Sequence, residues 1–396
     1  MRTCPSLLDS QNVNYKNEQK GQIMKKHKIV LPDYKNCIAN LPNSILKKLG
    51  LPTNGDTLPL LDKYLQKDYK NIIVILLDGM GKAIIERHLT AEGSFRSHLA
   101  GIYSSTFLST TVAATTSVMS GLQPCEHAWL GWDCYYPQIG ENVTVFLNKI
   151  QGTEKPAADY NVAWTLTPYE NITDKIKKAG KDAYMVAPFL DSEIDSFEKI
   201  CQHIKNICKS KAGAAGASDS PRYIYAYWNQ PDGLLHTYGC GSKEAHECIV
   251  SLEKDVAELA SELNETLIVV TADHGHIDTD YVYIQDYPEL YDCLIRKPSL
   301  EPRVLNLFIK DGKKDYFEKE FNLLFGEKFI LMPVEEMIAK NLMGTGKHHS
   351  MFRAMLGDYI AIATSDLSIY ANGQKFVSLH GSLTADEMEI PLIVYP

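Results

Sequence analysis

The sequence predicts an α/β protein whose doubly wound, mostly parallel sheet is sandwiched between helices. Short apolar runs that suit strands buried on both faces alternate with stretches of helical periodicity. The clearest runs are IIVILL (72–77), YIYAYW (223–228) and TLIVVTA (266–272). The chain has 396 residues, of which 45% are hydrophobic, so it is long enough for a large core. Strands alternating with helices favour this fold class.

The other elements are assigned from periodicity and from stop signals. Gly50 and Pro52 end a first helix, NSILKKLG, as helix stops commonly do. Gly121 ends a helix of small residues, TVAATTSVMSG. The remaining assignments are helices at 82–89 (KAIIERHL) and 243–263, and strands at 183–189 (AYMVAPF), 357–364 (GDYIAIAT) and 390–395 (IPLIVY).

These elements predict a core interrupted by one insertion. Residues 1–34 are predicted to be a polar N-terminal extension, and residues 35–298 and 346–396 to form the core. Residues 299–345 show a different order of predicted elements, a compact βαβα pattern. They are predicted to be a small α+β cap subdomain.

Composition excludes several partners. The formal net charge is −9, and no basic block carries interleaved aromatic residues, so nucleic acid bound through bulk charge is excluded. No apolar run approaches the roughly 18 residues of a membrane span, so no membrane partner is expected. The nine cysteines include no CxxC pair, which favours reduced thiols and a cytoplasmic protein. The oligomeric state is left open.

Carboxylates follow three of the predicted strands. Asp78 comes directly after IIVILL, Asp232 lies four residues after YIYAYW, and Asp273 follows TLIVVTA. Ligands of open parallel sheets bind outside the carboxyl ends of the strands. These three aspartates are therefore expected to meet at one edge of the sheet. Histidines accompany them: His236 in DGLLH, His274 in ADHG, and His380 in LHG before the last strand.

Three aspartates gathered without neutralisation would repel one another, and burying such charges is costly unless they are paired or bind metal. No arginine or lysine cluster accompanies them in the sequence. Mixed aspartate and histidine ligands suit zinc best, with manganese or iron as competitors. Each motif alone could be an ordinary helix cap, but the three together at strand ends predict a metal site. His276, in ADHGH, and His127, in SGLQPCEH, are candidate substrate contacts or supporting residues.

A run of hydroxyl residues, SSTFLSTTVAATTSVMSG, precedes and enters the small-residue helix. Some of these hydroxyls are explained as helix caps. A hydroxyl at a helix N-terminus also faces free backbone N–H groups, where phosphate binds. A neighbouring metal ion would lower the pKa of such a hydroxyl and make it a nucleophile.

The ordered motifs DGMG, T-x₈-SGLxPxxH, DxxxHxxG, TADHG and HG resemble the alkaline phosphatase superfamily. They are most similar to its type I phosphodiesterase and nucleotide pyrophosphatase family. The resemblance covers roughly residues 70–290 and 357–396. It implies an alkaline phosphatase-like fold and a phosphoric ester hydrolase that acts on a small-molecule phosphate ester or nucleotide.

The resemblance also implies the roles of the site residues. The nucleophile is the threonine nine residues before the SG pair, Thr111, with Thr110 as the alternative if the register slips by one. Two divalent ions, zinc or alternatively manganese, are implied. The first is held by Asp78, Thr111, Asp273 and His274, and the second by Asp232, His236 and His380.

One departure concerns the substrate. The family usually has T-F-P-N after its nucleophile, and its asparagine touches a phosphoryl oxygen. Here Ala114 takes that place and cannot donate, so Thr115 or a backbone N–H is expected to substitute. Phosphodiesters and nucleotide pyrophosphates are the first expectation. A phosphomonoesterase, a phosphonate hydrolase, a phosphomutase and an inactive metal-binding protein are the alternatives. The substrate pocket is expected around residues 127–150 and the cap.

Overall fold

The strand β1 (Asn71–Leu77) lies at the centre of the main sheet, and all seven of its residues are buried. The computed structural model describes residues 27–210, 221–371, 373 and 375–396. The predicted polar extension at 1–34 therefore lies mostly outside the described residues. The other strands are β2 (Leu99–Ser104), β3 (Asp133–Tyr136), β4 (Glu141–Thr144), β5 (Lys149–Ile150), β6 (Ala183–Val186), β7 (Arg222–Trp228), β8 (Thr266–Thr271), β9 (Ile277–Asp278), β10 (Asp280–Tyr283), β11 (Ser299–Glu301), β12 (Val304–Leu307), β13 (Phe329–Pro333), β14 (Tyr359–Ala363), β15 (Leu367–Tyr370), β16 (Ser378–Leu379) and β17 (Glu389–Tyr395).

The helices alternate with the strands of the main sheet. They are α1 (Asn40–Lys48), α2 (Pro59–Asp62), α3 (Lys82–His88), α4 (Ser94–Ser97), α5 (Thr111–Ser120), α6 (Pro124–His127), α7 (Val162–Leu166), α8 (Ile172–Lys178), α9 (Phe197–Lys209), α10 (Asp232–Tyr238), α11 (Lys243–Glu262), α12 (Pro288–Tyr291), α13 (Lys314–Phe325), α14 (Val334–Ala339) and α15 (Ala385–Met388). Two short 3-10 helices span Ile284–Asp286 and Arg353–Met355.

The main sheet has six strands in the order β2-β17-β8-β1-β7-β6. β1 pairs in parallel with β7 and β8, and β6 pairs in parallel with β7. β17 is antiparallel to both of its neighbours. Helices α1, α5 and α8 contact one another, and α11 contacts α3, α4 and α9. The mostly parallel sheet flanked by helices confirms the predicted fold class.

A second sheet, absent from the sequence-based prediction, has seven antiparallel strands in the order β13-β14-β12-β11-β3-β4-β5. The segment predicted as a cap, 299–345, supplies three of these strands, which are joined by strands from 133–150 and by β14. The predicted strand at 357–364 is present as β14, but it pairs with β12 and β13 and not with the main sheet. An apolar run shows burial, not the sheet in which a strand pairs. The division into core and cap stays a prediction.

A buried ion pair joins the second sheet to the end of the chain. Arg303, in the turn between β11 and β12, donates from Nη2 to Oε2 of Glu387 at 2.8 Å, and both side chains are fully buried. Arg303 also donates to the carbonyls of Ser365 and Leu367, and Glu387 accepts the backbone N–H of Ser382. This network fixes the loop that carries His380.

The eight cysteines within the described residues are all free. No helix in the described part of the chain combines the length and apolarity needed to cross a membrane.

Candidate active site

Three neighbouring strands of the main sheet deliver the predicted aspartates to one edge. Asp78 directly follows β1, Asp232 begins α10 after β7, and Asp273 with His274 follows β8. Because β8, β1 and β7 are adjacent and parallel, these side chains converge as the strand-end argument predicts. His380, which follows β16, completes the cluster.

Four donor atoms form the first group: Oδ1 of Asp78, Oγ1 of Thr111, Nε2 of His274 and Oδ2 of Asp273. His274 Nε2 lies 3.2 Å from Thr111 Oγ1, 3.3 Å from Asp78 Oδ1 and 3.4 Å from Asp273 Oδ2. Thr111 Oγ1 lies 3.4 Å from Asp78 Oδ1. An ion bound tetrahedrally at 2.0–2.1 Å requires donors about 3.3–3.4 Å apart. These four separations therefore fit a zinc-type ion.

Local hydrogen bonds in this first group occupy one oxygen of Asp273 and leave the other free to bind a metal ion. Asp273 Oδ1 accepts the backbone N–H groups of Gly79 and His274, both at 3.1 Å. Asp273 Oδ2 is buried and has no hydrogen-bond partner, which is costly unless it binds something else. Gly79 has φ +74°, and a Cβ there would lie 3.0 Å from the Cα of Asp232 and from the ring of His276. Glycine is thus required at this turn.

The second group surrounds Oδ1 of Asp232. Nε2 of His236 lies 3.3 Å from this oxygen, and Nε2 of His380 lies 3.6 Å from it. The Nδ1 atoms of these rings face the carbonyls of Ser378, at 2.8 Å, and Ser109, at 3.2 Å. A carbonyl only accepts, so each Nδ1 carries the proton and each neutral ring keeps Nε2 free for a metal. The Asp232 carboxylate and the free Nε2 atoms suit a second ion by their chemistry. The donor atoms that all lie within 4.8 Å of one another here belong to Asp232, His274, His276 and His380, and His236 is not among them.

Burial and neighbouring charges shift the pKa values of Asp273 and His274 in the first group. Burial raises the pKa of Asp273 well above its usual range, and the neighbouring Asp78 carboxylate raises it further. Burial alone would lower the pKa of His274, but the Asp273 and Asp78 carboxylates outweigh it and raise the value to about 10. Without metal, a protonated His274 thus offsets part of the negative charge. A divalent cation would take over that role.

The structure also shows which threonine faces the cluster. Thr111 is the first residue of α5 and its hydroxyl joins the first group. The hydroxyl of Thr110 points away and donates to Oε1 of the buried Glu301 at 2.6 Å. Glu301 Oε1 also accepts the backbone N–H of Trp132 at 2.9 Å.

The three weaker candidates lie in different places. Thr115 donates to the carbonyl of Thr111 at 2.6 Å and lines a cavity beside it. His127 is buried away from the cluster: Nε2 contacts Ser117 Oγ at 3.1 Å and Nδ1 accepts from the backbone N–H of Trp129 at 3.0 Å. His276 joins the second group through a 2.7 Å contact between Nε2 and Asp232 Oδ1.

Sequence reasoning did not single out Tyr227, Ser378 or Glu301. The Tyr227 hydroxyl donates to Oδ2 of Asp78. Alternation along YIYAYW places Tyr223, Tyr225 and Tyr227 on one face of β7, which is a signal for that contact. Ser378 lies two residues before His380, but nothing in the sequence shows that it contacts His236 and His276. Glu301 lies in the segment predicted as a cap, far from the motifs.

A cavity of about 600 Å³ opens beside Thr111. Aromatic side chains dominate its lining, and no charged side chain of the described residues contributes to it. Its lining includes the hydroxyl-bearing Tyr225, whose buried oxygen has no hydrogen-bond partner. Residues of the 127–150 loop line the cavity, as expected. Residues between 164 and 190 line it as well, whereas the 299–345 segment, which was also expected to line it, supplies no lining residue. The aromatic lining residues are Trp129, Phe146, Trp164, Tyr169, Phe189, Tyr225 and Tyr227.

The main sheet, the strand-end aspartates and the hydroxyl at a helix start together define an alkaline phosphatase-like protein. A family model described as type I phosphodiesterase / nucleotide pyrophosphatase matches residues 72–322. The match spans more than half of the chain, and the chain belongs to this family. Its members are phosphoric ester hydrolases, and this protein is an enzyme of that class.

Solved structures show the same fold at low sequence identity. An inactive form of murine ectonucleotide pyrophosphatase/phosphodiesterase 5 in complex with AMP has a TM-score of 0.59 and 17% identity, covering 82% of this chain and 87% of that one. The human counterpart has a TM-score of 0.60 and 17% identity, covering 81% and 87%. Phosphonoacetate hydrolase from Sinorhizobium meliloti, in complex with phosphonoacetate, has a TM-score of 0.58 and 17% identity, covering 83% and 90%. Among curated protein sequences, none matches the chain.

Proposed function

We propose that this protein hydrolyses phosphodiesters or nucleotide pyrophosphates through a covalent intermediate on Thr111, with two divalent metal ions. The observation that carries the proposal is the group of four donors around His274 Nε2, in which His274 lies 3.2–3.4 Å from the other three and Thr111 Oγ1 lies 3.4 Å from Asp78 Oδ1. A threonine needed only as a helix cap would have no reason to complete that group.

Asp78, Thr111, Asp273 and His274 would hold the first ion, and Asp232, His236 and His380 the second. The donor set of oxygens and imidazole nitrogens favours zinc, with manganese as the alternative. When bound, the ions would supply Lewis-acid stabilisation of the charged oxygens on phosphorus.

The protein's own groups place the nucleophile. The Thr111 hydroxyl, whose hydrogen bond is donated to Asp78 Oδ1, gives its proton to water and attacks phosphorus in line, while the leaving ester oxygen departs and takes up a proton from water. Water then attacks the phospho-threonine and restores the hydroxyl. The first turn of α5 has backbone N–H groups without helical partners, which suit the non-bridging oxygens. They would replace the side-chain donor that Ala114 lacks.

The cavity beside Thr111 favours a diester over the rival substrates. A monoester carries an additional negative charge, and phosphonoacetate carries a carboxylate. Both charges need a cationic partner when they are taken out of water. The cavity lining supplies aromatic and aliphatic surface without a lysine or arginine. An uncharged aromatic substituent, such as a nucleobase or an aryl group, matches it better. The murine neighbour binds AMP, which supports a nucleoside as the substituent; AMP is itself a monoester and does not bear on the choice of a diester.

The proposal is tested by the ratio of two specificity constants. The protein is loaded with zinc or manganese, and kcat/KM is measured for bis(4-nitrophenyl) phosphate and for 4-nitrophenyl phosphate. We expect a strong preference for the diester. A strong preference for the monoester would show that the protein is a phosphomonoesterase. Activity on neither substrate, with turnover of phosphonoacetate, would replace the proposal with phosphonate hydrolysis.

A further inference from the structure

Asp232 accepts a hydrogen bond from a buried histidine that the two proposed metal sites do not use. Nε2 of His276 lies 2.7 Å from Asp232 Oδ1, and Nδ1 of the same ring lies 3.0 Å from the hydroxyl of Ser378. His276 is 2% exposed and Ser378 is fully buried. The three side chains form a chain of contacts that ends on a proposed metal ligand.

We propose that Ser378 and His276 act as a positioning pair that fixes the Asp232 carboxylate for the second metal ion, and that His276 is not itself a ligand of that ion. This proposal rests on the two-metal site proposed above. It assigns a role to two residues outside the predicted set of seven ligands.

A ligand role for His276 has to be weighed first, because donor atoms of Asp232, His274, His276 and His380 all lie within 4.8 Å of one another. Two ligands of one tetrahedral ion are about 3.3–3.4 Å apart when each lies 2.0–2.1 Å from the metal. The separations of His236 and His380 from Asp232 Oδ1, 3.3 and 3.6 Å, are near that value. The 2.7 Å separation of His276 is too short for it and is normal for a hydrogen bond to a charged acceptor.

The hydrogen-bond network fixes where the protons lie. An ionised Asp232 carboxylate can only accept, so Nε2 of His276 is the donor. In the neutral ring Nδ1 is then the acceptor, and the Ser378 hydroxyl donates to it. With its proton on Nε2 and pointing at Asp232, the ring offers no lone pair to an ion at that position.

Ser378 also serves a second histidine. Its backbone carbonyl accepts the proton of His236 Nδ1 at 2.8 Å, while its hydroxyl contacts His276. Antiparallel pairing of β16 with β9 places Ser378 opposite Asp278 and sets this arrangement. The backbone of Gly79 also lies close to the His276 ring, since a Cβ there would lie 3.0 Å from it. The ring therefore has little freedom to turn away from Asp232.

The test measures metal binding as well as turnover. Wild type and four variants, His276→Leu, His276→Gln, Ser378→Ala and Ser378→Thr, are loaded with Co²⁺ in place of zinc. Bound ions per chain, the affinity of each ion in competition with a chelator, and the visible absorption spectrum are recorded. His246→Gln, an exposed site on α11, is the matched control. Circular dichroism confirms that each variant is folded.

We expect His276→Leu to weaken binding of one of the two ions about 10- to 100-fold, as loss of an outer-shell partner does. The spectrum of the fully loaded protein should stay unchanged, because no ligand has been removed. Ser378→Ala should weaken the same ion less. His276→Gln and Ser378→Thr should restore most of the affinity, since the glutamine amide N–H and the threonine hydroxyl can still donate.

Two results would overturn the inference. A changed Co²⁺ spectrum in fully loaded His276→Leu would make His276 a ligand. If both His276→Leu and Ser378→Ala bound Co²⁺ with the affinity of the wild type, the positioning role would be refuted. If His276→Leu does not fold, the ion affinities of Ser378→Ala and Ser378→Thr are compared instead. Equal affinities in these two variants and the wild type would then refute the positioning role. Failure of the wild type to bind two ions would instead refute the proposed two-metal site, which is a distinguishable outcome.

Discussion

The hydroxyl of Thr111 lies 3.2 Å from Nε2 of His274, although 163 residues separate the two in the chain. One begins a helix and the other follows the strand β8. Two aspartates from neighbouring strand ends complete the group. The contact makes Thr111 both the proposed nucleophile and a proposed metal ligand, which separates it from the other hydroxyls of the same run.

Replacing Thr111 tests its role against that of Thr110. We expect Thr111→Ala to lower kcat by roughly 10⁴-fold or more, as removal of a nucleophile does. Thr111→Ser, which keeps a hydroxyl, should retain measurable turnover. Thr110→Ala loses a hydrogen bond to Glu301 and should cost about 1–3 kcal/mol of stability with a much smaller effect on kcat. Steady-state kinetics and denaturant unfolding separate the two effects. Full turnover in Thr111→Ala would refute the assignment.

The aromatic cavity should select substrates by their second substituent. Trp164 lines it and packs against Trp129 and Tyr169, with ring centroids 5.0 and 4.7 Å apart. We expect Trp164→Ala to lower kcat/KM for phenyl 4-nitrophenyl phosphate about tenfold, from the loss of stacking worth about 1 kcal/mol or more. The value for methyl 4-nitrophenyl phosphate should change little.

The matched control for this experiment is Tyr316→Ala, an exposed aromatic residue on α13 in the segment predicted as a cap. It should leave both substrates unaffected. An equal loss for both substrates in Trp164→Ala would show that the residue supports the fold and not the recognition of the substituent.

Glu301 should make stability depend on pH. Burial raises the pKa of this carboxyl from 4.5 to about 7, against the lowering effect of its bond from Thr110. Because the folded value exceeds the unfolded one, the stabilisation is complete below about pH 4.5 and is lost as the pH rises through 7. Both hydrogen bonds go to Oε1, so Glu301→Gln can keep them.

We therefore expect the wild type to lose up to about 3 kcal/mol more than Glu301→Gln between pH 4.5 and 8. Urea unfolding of both metal-free proteins across this range measures the difference. If the free energy of unfolding changed with pH in the same way in both proteins, the raised pKa of Glu301 would be refuted.

The Arg303–Glu387 pair should matter more for stability than a surface pair. Arg303→Met leaves Glu387 buried without its cation, and we expect a loss of about 3–5 kcal/mol. Lys314→Met removes an exposed partner of Asp358 and should cost less than about 1 kcal/mol. Unfolding in urea at pH 7 compares the two variants. Similar small losses in both would show that Glu387 is reached by solvent or takes up a proton at little cost.

Local signals in the sequence were sufficient for the parts of the site that lie at strand ends. A buried run followed by Asp78, and another followed by Asp273 and His274, place these side chains because parallel strands share one edge. The second sheet was not predictable in this way, since β14 pairs with β12 and β13 through contacts that no local pattern records. The same holds for the Ser378 contacts with His236 and His276, which depend on tertiary packing.

The central claim is a covalent intermediate on Thr111. The most direct measurement is rapid acid quenching of the metal-loaded protein during turnover of bis(4-nitrophenyl) phosphate, followed by mass spectrometry of its peptides. We predict Thr111 carrying a 4-nitrophenyl phosphoryl group, with a burst of nitrophenol close to one per active site when hydrolysis of the intermediate is the slower step. Turnover by the wild type with an unmodified Thr111 peptide, together with full activity in Thr111→Ala, would contradict the account.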